Sequence, residues 1–380
     1  MVSNTNVTDP AGIDPSTIVG LELANGDLRV GERLNAGSFS TVFRGECISA
    51  NRTYALKFMR KVDPTARQFQ FQCMEFETHL RAHEHPGIIT LHRVLEHGDH
   101  VVLVLDYVDG GDLLEAITQQ YHRFRGNEHQ VRSTFAQMLQ AVKHTHDAGV
   151  VHRDLKLENF LVSEDLSKVY LADFGLATTS RTYEQVGSLP YVPPECFGEH
   201  VRSVSTASPN SADVWAMGCL LYQLLTGVSP WKSASLVDQS YVNYLQHRRS
   251  IFTRHACDVS PETQSLIVRA LAPHPVDRIS LDNFVTAFND LPSLYTGKTV
   301  LTRRKRAPNA LKLRCASSTL SFARPGSDDS DSTLSSALET PVITHALPLP
   351  PPKTESSLSQ QFLAMPGLFR LVQGDERAET

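Results

Sequence analysis

His152-Arg153-Asp154-Leu155-Lys156-Leu157-Glu158-Asn159 puts four charged side chains and a carboxamide into eight residues. Asp173-Phe174-Gly175 begins 19 residues after Asp154, and Pro193-Pro194-Glu195 follows it. Upstream, Lys57 closes the run Tyr54-Ala55-Leu56-Lys57. Working outward, residues 29–34, 41–45 and 54–58 alternate in polarity between turn residues and predict three strands. Residues 66–82 predict a helix, and the apolar run 101–107 predicts a buried strand. Beyond about residue 112 helical patterns dominate. The clearest are 131–146 and 214–225, the second too apolar for a surface helix. The chain therefore reads strands first and helices later, with Gly110-Gly111 between.

Composition narrows the classes. The chain has 380 residues, 41% hydrophobic and 20% charged, enough apolar material for a large core. Its net charge of −5 argues against a general nucleic-acid binder. Six Cys with no C-x-x-C pair argue against a disulfide scaffold or a zinc site. There is no apolar leader and no run of 18 apolar residues, so no membrane association is expected. The location expected is cytoplasmic, nuclear or both. Residues 1–27 are polar and turn-rich and read as a mobile arm. Residues 301–380 hold 10 Lys and Arg against 8 Asp and Glu, leaving 26 against 33 in residues 1–300. This mildly basic stretch carries Arg303-Arg304-Lys305-Arg306, a Ser/Asp segment at 327–336 and prolines at 348 and 350–352. Residues 293–380 read as a largely disordered tail. The basic cluster reads as a solvated charge run or a nuclear signal, and the proline run as a stiff spacer or an SH3-type ligand.

The ordered set of motifs resembles the eukaryotic protein kinase signature, over about residues 28–292. The resemblance implies an α+β bilobal fold: a small antiparallel β-rich N-lobe (about 28–105) with one main helix, a hinge (106–112), and a larger helical C-lobe (113–292). It implies phosphoryl transfer from ATP with Mg²⁺. Asp154 would orient the substrate hydroxyl and accept its proton, as suits an acceptor-only carboxylate. Lys156 would assist it. Asn159 and Asp173 would offer hard oxygens to Mg²⁺, and Lys57 would hold phosphates through a compact charge. Lys57 needs a carboxylate partner on the following helix. Glu75 and Glu77 both qualify, and Glu75 is favoured because it sets Phe76 and His79 inward.

The nucleotide loop departs from the family pattern G-x-G-x-x-G-x-V. Here Leu34 precedes Asn35-Ala36-Gly37-Ser38-Phe39-Ser40-Thr41-Val42, and only the middle glycine remains. Asn35 tolerates the left-handed backbone that a glycine there would allow. By the same resemblance Leu105 is the gatekeeper, and backbone groups of Asp106 and Val108 pair with adenine. Asp112 reaches the ribose, and Val42, Ala55 and Leu161 sandwich the base. Lys156 and Gly187-Ser188 resemble the serine/threonine class, with Ser188 bonding Asp154 and Lys156. Glu195 is expected to pair with Arg278, and Asp213 to brace the catalytic loop. The segment 177–186 offers Thr178, Thr179, Ser180, Thr182 and Tyr183 for phosphorylation, with Glu184 as an acidic substitute. Partners expected are protein substrates with Ser or Thr acceptors and basic residues upstream, read by Asp112 and Glu158. The stretch 85–93 resembles fungal kinases of the nutrient-response and meiosis-repressing type. A pseudokinase scaffold on the same fold is the alternative, favoured by the eroded loop. A small-molecule kinase fits poorly with the segment 187–195.

Overall fold

Alternation along Thr41-Val42-Phe43-Arg44-Gly45 becomes a strand whose odd-numbered members face inward. The computed structural model that carries it describes residues 12–180, 186–198, 210–254 and 258–297. Residues 1–11, Thr182, Tyr183, Glu184, Cys257, Cys315 and the motifs beyond residue 297 lie outside the described residues.

The chain opens with α1 (Pro15–Ile18) and β1 (Glu22–Leu23). Three strands follow, β2 (Leu28–Ala36), β3 (Ser40–Cys47) and β4 (Arg52–Arg60). Helix α2 (Arg67–Ala82) leads to β5 (Leu91–His97) and β6 (His100–Asp106). The six strands form one antiparallel sheet in the order β1-β2-β3-β4-β6-β5. One of its faces buries Leu28, Val30, Phe43, Leu56, Phe58, Val102 and Val104. The other side carries Met59, Val94, Val101 and Leu103, which pack with Cys73 and Phe76 of α2.

Residues 12–27 correct the expectation of an arm. Ile13, Ile18 and Leu23 are buried against the first of these sheet faces. Asp14 caps α1 by accepting from the Ser16 amide; the Gly20 amide donates to the Val30 carbonyl of β2, and the Val30 amide donates to the Leu21 carbonyl. Three apolar residues, spaced through a polar segment, suffice to dock it.

After β6 come α3 (Leu113–Gln119), α4 (Tyr121–Phe124) and α5 (Glu128–Asp147), then the hairpin β7 (Phe160–Val162) and β8 (Val169–Leu171). Helices α6 (Ser211–Thr226), α7 (Gln239–Gln246), α8 (Ser250–Arg254), α9 (Pro261–Ala270) and α10 (Leu281–Asn289) complete the larger core. Thirteen consecutive residues of α6, from Asp213 to Leu225, are buried, which is why the segment is apolar all round. Among the described residues no helix is long and apolar enough to cross a membrane. Cys47, Cys73, Cys196 and Cys219 are free thiols.

The two regions meet at residues 106–112. A Cβ on Gly110 would lie 2.4 Å from the Val162 carbonyl oxygen, so only glycine lets this connection press against β7. Asp112 then caps α3 through the Glu115 amide, at 2.8 Å, and bridges to Leu161. Hinge and hairpin are thereby one surface.

Candidate active site

Lys57 sits in the middle of β4, paired with Val42 on one side and Leu103 on the other. Its Nζ donates to Glu75 Oε1 at 2.6 Å and to Asp173 Oδ1 at 2.8 Å. Glu77 points elsewhere and pairs with Arg81 on the surface. Burial alone would lower the pKa of Lys57, but the carboxylates of Asp173 and Glu75 outweigh it and hold it above the usual lysine range. The Lys57 ammonium holds the Asp173 carboxyl well below the usual range, against the partial desolvation of the group. Burial pushes Glu75 up, and Lys57 opposes that push. The ammonium thus sits between two carboxylates, and the low-dielectric setting of the buried Glu75 strengthens that contact most.

Asp173 has φ +62, a strained value for a residue with a side chain. Its neighbour Phe174 is fully buried, stacked on His79 of α2 at 4.7 Å and edge-on to His152 at 5.2 Å. That anchor holds the strained turn with the carboxylate toward Lys57. His79 in turn meets the Ile89 carbonyl at 2.7 Å, and burial lowers its pKa to about 4.

Asp154 is buried at the centre of a second constellation. Its Oδ1 accepts from the Ser188 amide and hydroxyl, both at 2.9 Å. Its Oδ2 accepts from Lys156 Nζ at 2.6 Å and Asn159 Nδ2 at 3.2 Å. Asn159 also donates to the Asp154 carbonyl at 2.7 Å, and Lys156 to Ser188 Oγ at 3.3 Å. Burial lowers the pKa of Lys156, but the Asp154 charge outweighs it and the group lies above its ordinary value. Gly187 has φ +104, and a Cβ there would lie 2.5 Å from the Arg153 carbonyl, so a glycine must precede Ser188.

The loop carrying Asp154 is held from behind. Asp213, on the buried α6, accepts from the His152 amide at 2.8 Å, the Arg153 amide at 2.9 Å and His146 Nε2 at 2.8 Å. These bonds over-determine Arg153, whose φ is +66. Arg153 Nε donates to the Leu176 carbonyl at 2.7 Å, and Val151 and Thr178 exchange backbone hydrogen bonds. The segments carrying Asp154 and Asp173 are therefore tied together. The bracing by His146 and the Val151–Thr178 bridge had no sequence signal of their own. Glu195 and Arg278 form a fully buried bidentate pair at 2.8 and 2.9 Å, with Arg278 Nη1 also on the Ser211 carbonyl.

Ala55 and Leu105 face one another across β4 and β6, Val42 lies on the neighbouring β3 opposite Lys57, and Leu161 lies on β7, bridged to Asp112. These apolar residues and Val108 keep part of their surface open. Leu34, near the end of β2, is 41% exposed. The loop at 35–40 does not use the backbone tolerance of Asn35. Asn35 is not left-handed; it lies in β2 opposite Val42, and its Oδ1 accepts from the Ala36 amide at 2.7 Å. The turn closes through Gly37 N to the Ser40 carbonyl at 2.8 Å. A Cβ on Gly37 would make only ordinary contact, so the loop forms without the full glycine set.

A family model described as protein kinase domain matches residues 28–287. The "negative regulator of sexual conjugation and meiosis" of Schizosaccharomyces pombe is 36% identical over 304 residues, 74% of this chain and 63% of that protein. The serine/threonine-protein kinase PLK4 of Nematostella vectensis is 32% identical over 267 residues, 68% of this chain but 26% of its own length. The 3-phosphoinositide-dependent protein kinase 1 of Arabidopsis thaliana is 32% identical over 224 residues, 55% of this chain and 44% of that protein. The chain thus spans less than two thirds of each of these relatives. With that match running from the start of β2 into α10, the chain belongs to the protein kinase family.

Proposed function

We propose that this chain is an active serine/threonine protein kinase that transfers the γ-phosphate of Mg-ATP to Ser or Thr hydroxyls of protein substrates in signalling. The observation that carries the reading is the complete Asp154 constellation. A buried carboxylate is met by Lys156, Asn159 and Ser188 while Lys57 already bridges Glu75 and Asp173.

The residues fit the cofactor. Asp173 uses Oδ1 for Lys57 and, at 3.3 Å, the Gly175 amide, and its side chain is 47% exposed. Asn159 uses its nitrogen for Asp154. The remaining oxygens of Asp173 and Asn159 are of the hard type that Mg²⁺ takes. Bound Mg-ATP supplies the phosphoryl group and the cation that neutralises its charge. Lys57 would hold the phosphates, its position set by Glu75. Asp154 would accept a hydrogen bond from the acceptor hydroxyl and take its proton, and Lys156 would place a positive charge beside the transferring group. Ser188, bonded to both, would fix where a substrate strand crosses. Asp112 and Glu158 would receive a basic residue upstream of the acceptor.

The test is phosphate transfer from Mg-ATP to a mixed peptide library by wild type and Asp154→Ala. Transfer to Ser and Thr that falls by about 10³-fold or more in the variant supports the reading. Folded wild-type protein that transfers nothing, before or after treatment with cell extract and ATP, overturns it. The second reading, a pseudokinase scaffold, rests on the single glycine left in the nucleotide loop. It expects nucleotide-independent partner binding and no transfer.

A further inference from the structure

We propose that the Asp106 side chain is a positioning residue for nucleotide binding, tying the hinge to the strands that carry the two ends of the cleft. The inference rests on the kinase reading, in which backbone groups of Asp106 and Val108 meet adenine.

Asp106 ends β6 and is the last residue paired with β4, opposite Tyr54. Its Oδ1 accepts from Arg52 Nη2 and His92 Nε2, each at 2.7 Å. Its Oδ2 accepts from the Thr90 amide at 3.1 Å, while its own amide donates to the Thr90 carbonyl at 3.1 Å. One carboxylate thus gathers the start of β4, the residue before β5, and β5 itself.

The contact with His92 is built by an irregularity. β5 pairs Leu91 with Leu105 and Arg93 with Val104, so His92 is the extra residue of a bulge. Bulges re-aim one side chain out of the regular alternation, and here that side chain reaches Asp106. Tyr54 packs edge-on to His92 at 5.1 Å, and Arg52 lies over the Tyr54 ring at 5.1 Å. The four side chains close a ring behind the hinge. Against its partial burial, the hydrogen bonds from His92 and Thr90 keep the Asp106 carboxyl well below the usual range, so it remains an acceptor.

The ring connects to the other end of the cleft through Thr90. The preceding residue, Ile89, donates its amide to the Leu171 carbonyl at 2.9 Å and receives His79 on its own carbonyl. Leu171 ends β8, two residues before Asp173. A short path therefore runs from the hinge through Asp106, Thr90, Ile89 and Leu171 to Asp173. It sets the separation between the adenine-facing backbone and the metal-facing carboxylate. Weakening its first link leaves every nucleotide-contacting group in place but relaxes their spacing.

The experiment uses the full chain with Asp106→Ala, His92→Leu and His92→Gln. KM for ATP, KM for peptide and kcat are measured with the Kd of a fluorescent ATP analogue, and folding is followed by thermal melting. Losing hydrogen bonds to a charged group predicts that Asp106→Ala raises KM for ATP and the analogue Kd by about tenfold. Peptide KM should stay within about twofold, and kcat should fall by a smaller factor than KM for ATP rises. His92→Gln keeps a donor and should stay closer to wild type than His92→Leu. A folded Asp106→Ala with unchanged KM for ATP and Kd overturns the proposal, as does an equal loss in all three kinetic parameters. If Asp106→Ala does not fold, the two His92 variants decide, and equal ATP affinity in both overturns it. If wild type binds the analogue but transfers no phosphate, the kinase reading fails, and the Kd values alone still decide the role of Asp106.

Discussion

Glu158 has one carboxylate oxygen, Oε2, that is buried and makes no hydrogen bond among the described residues. A buried, unsatisfied carboxylate is costly, and burial pushes its pKa up, with Lys156 opposing and Asp112 adding to the rise. Burial pushes Asp112 up as well, against the hydrogen bond from the Glu115 amide. Two carboxylates so placed would gain from a guanidinium that lies between them. The sign follows from the direction of the shifts. A carboxylate with a raised pKa loses its charge at a higher pH than an ordinary Glu, whose pKa is about 4.3. KM for peptides with Arg upstream of the acceptor should therefore rise on acidification before ordinary carboxylates titrate. KM for matched peptides with Gln in that place should not. Glu158→Gln should raise KM for the Arg peptides by about tenfold, the scale of a hydrogen bond to a charged group, and flatten the pH dependence. Parallel pH profiles for the two peptide series would remove Glu158 from substrate selection. The gathering of residues 57, 154, 159 and 173 was legible because each sits in one of an ordered set of short motifs. The orphan oxygen of Glu158 and the Asp106 ring were not, because partners set them and no motif does.

Helix α2 shows the same division at the level of elements. The expected range 66–82 and the observed Arg67–Ala82 agree to a residue, because the inward residues recur at helical spacing: Cys73, Phe76 and His79 at three-residue steps. β3, β4 and β6 were legible from alternation or a continuous apolar run, and α6 from its length and uniform apolarity. β5 was not, because the bulge at His92 breaks the period of two on which strand reading depends. The docking of α2 yields its own prediction. His79 is buried against Phe174, with a pKa lowered to about 4. An unfolded His titrates near 6.5. Between these values the unfolded state binds the extra proton, so the native state loses stability as pH falls from about 6.5 toward 4. It does so by up to about 1.4 kcal/mol per pH unit from this one group. His79→Gln removes that titration. Denaturant unfolding from pH 7 to pH 4.5 should give the variant a shallower slope than wild type, whatever its stability at pH 7. Equal slopes would mean that His79 charges in the folded protein without cost.

Residues 12–27 form an N-terminal strap on the sheet, and it bears on how far the whole molecule behaves as one cooperative unit. Its three buried residues belong to the sheet-face cluster of 11 buried residues, whereas the helical region has a separate and much larger cluster. Ile13, Ile18 and Leu23 are thus a large share of a small core. The strap also closes on β4 directly, since Arg60 Nη2 donates to the Gly12 carbonyl at 2.7 Å, three residues beyond Lys57. Its polar composition hid this, because docking needs only a few apolar residues when the sheet supplies the rest. A large-to-small change in such a core costs about 2–5 kcal/mol, and the cost should fall on the region that contains it. Leu23→Ala should therefore speed hydrogen exchange at amides of β2, β3, β4 and β6, while amides of α5 and α6 keep wild-type protection. Because β4 carries Lys57, ATP affinity should weaken in the same variant while thermal unfolding of the helical region stays near the wild-type temperature. Uniform loss of protection in both regions would show that the strap supports one global unfolding unit. Unchanged protection throughout would show that the strap lies on the sheet without stabilising it.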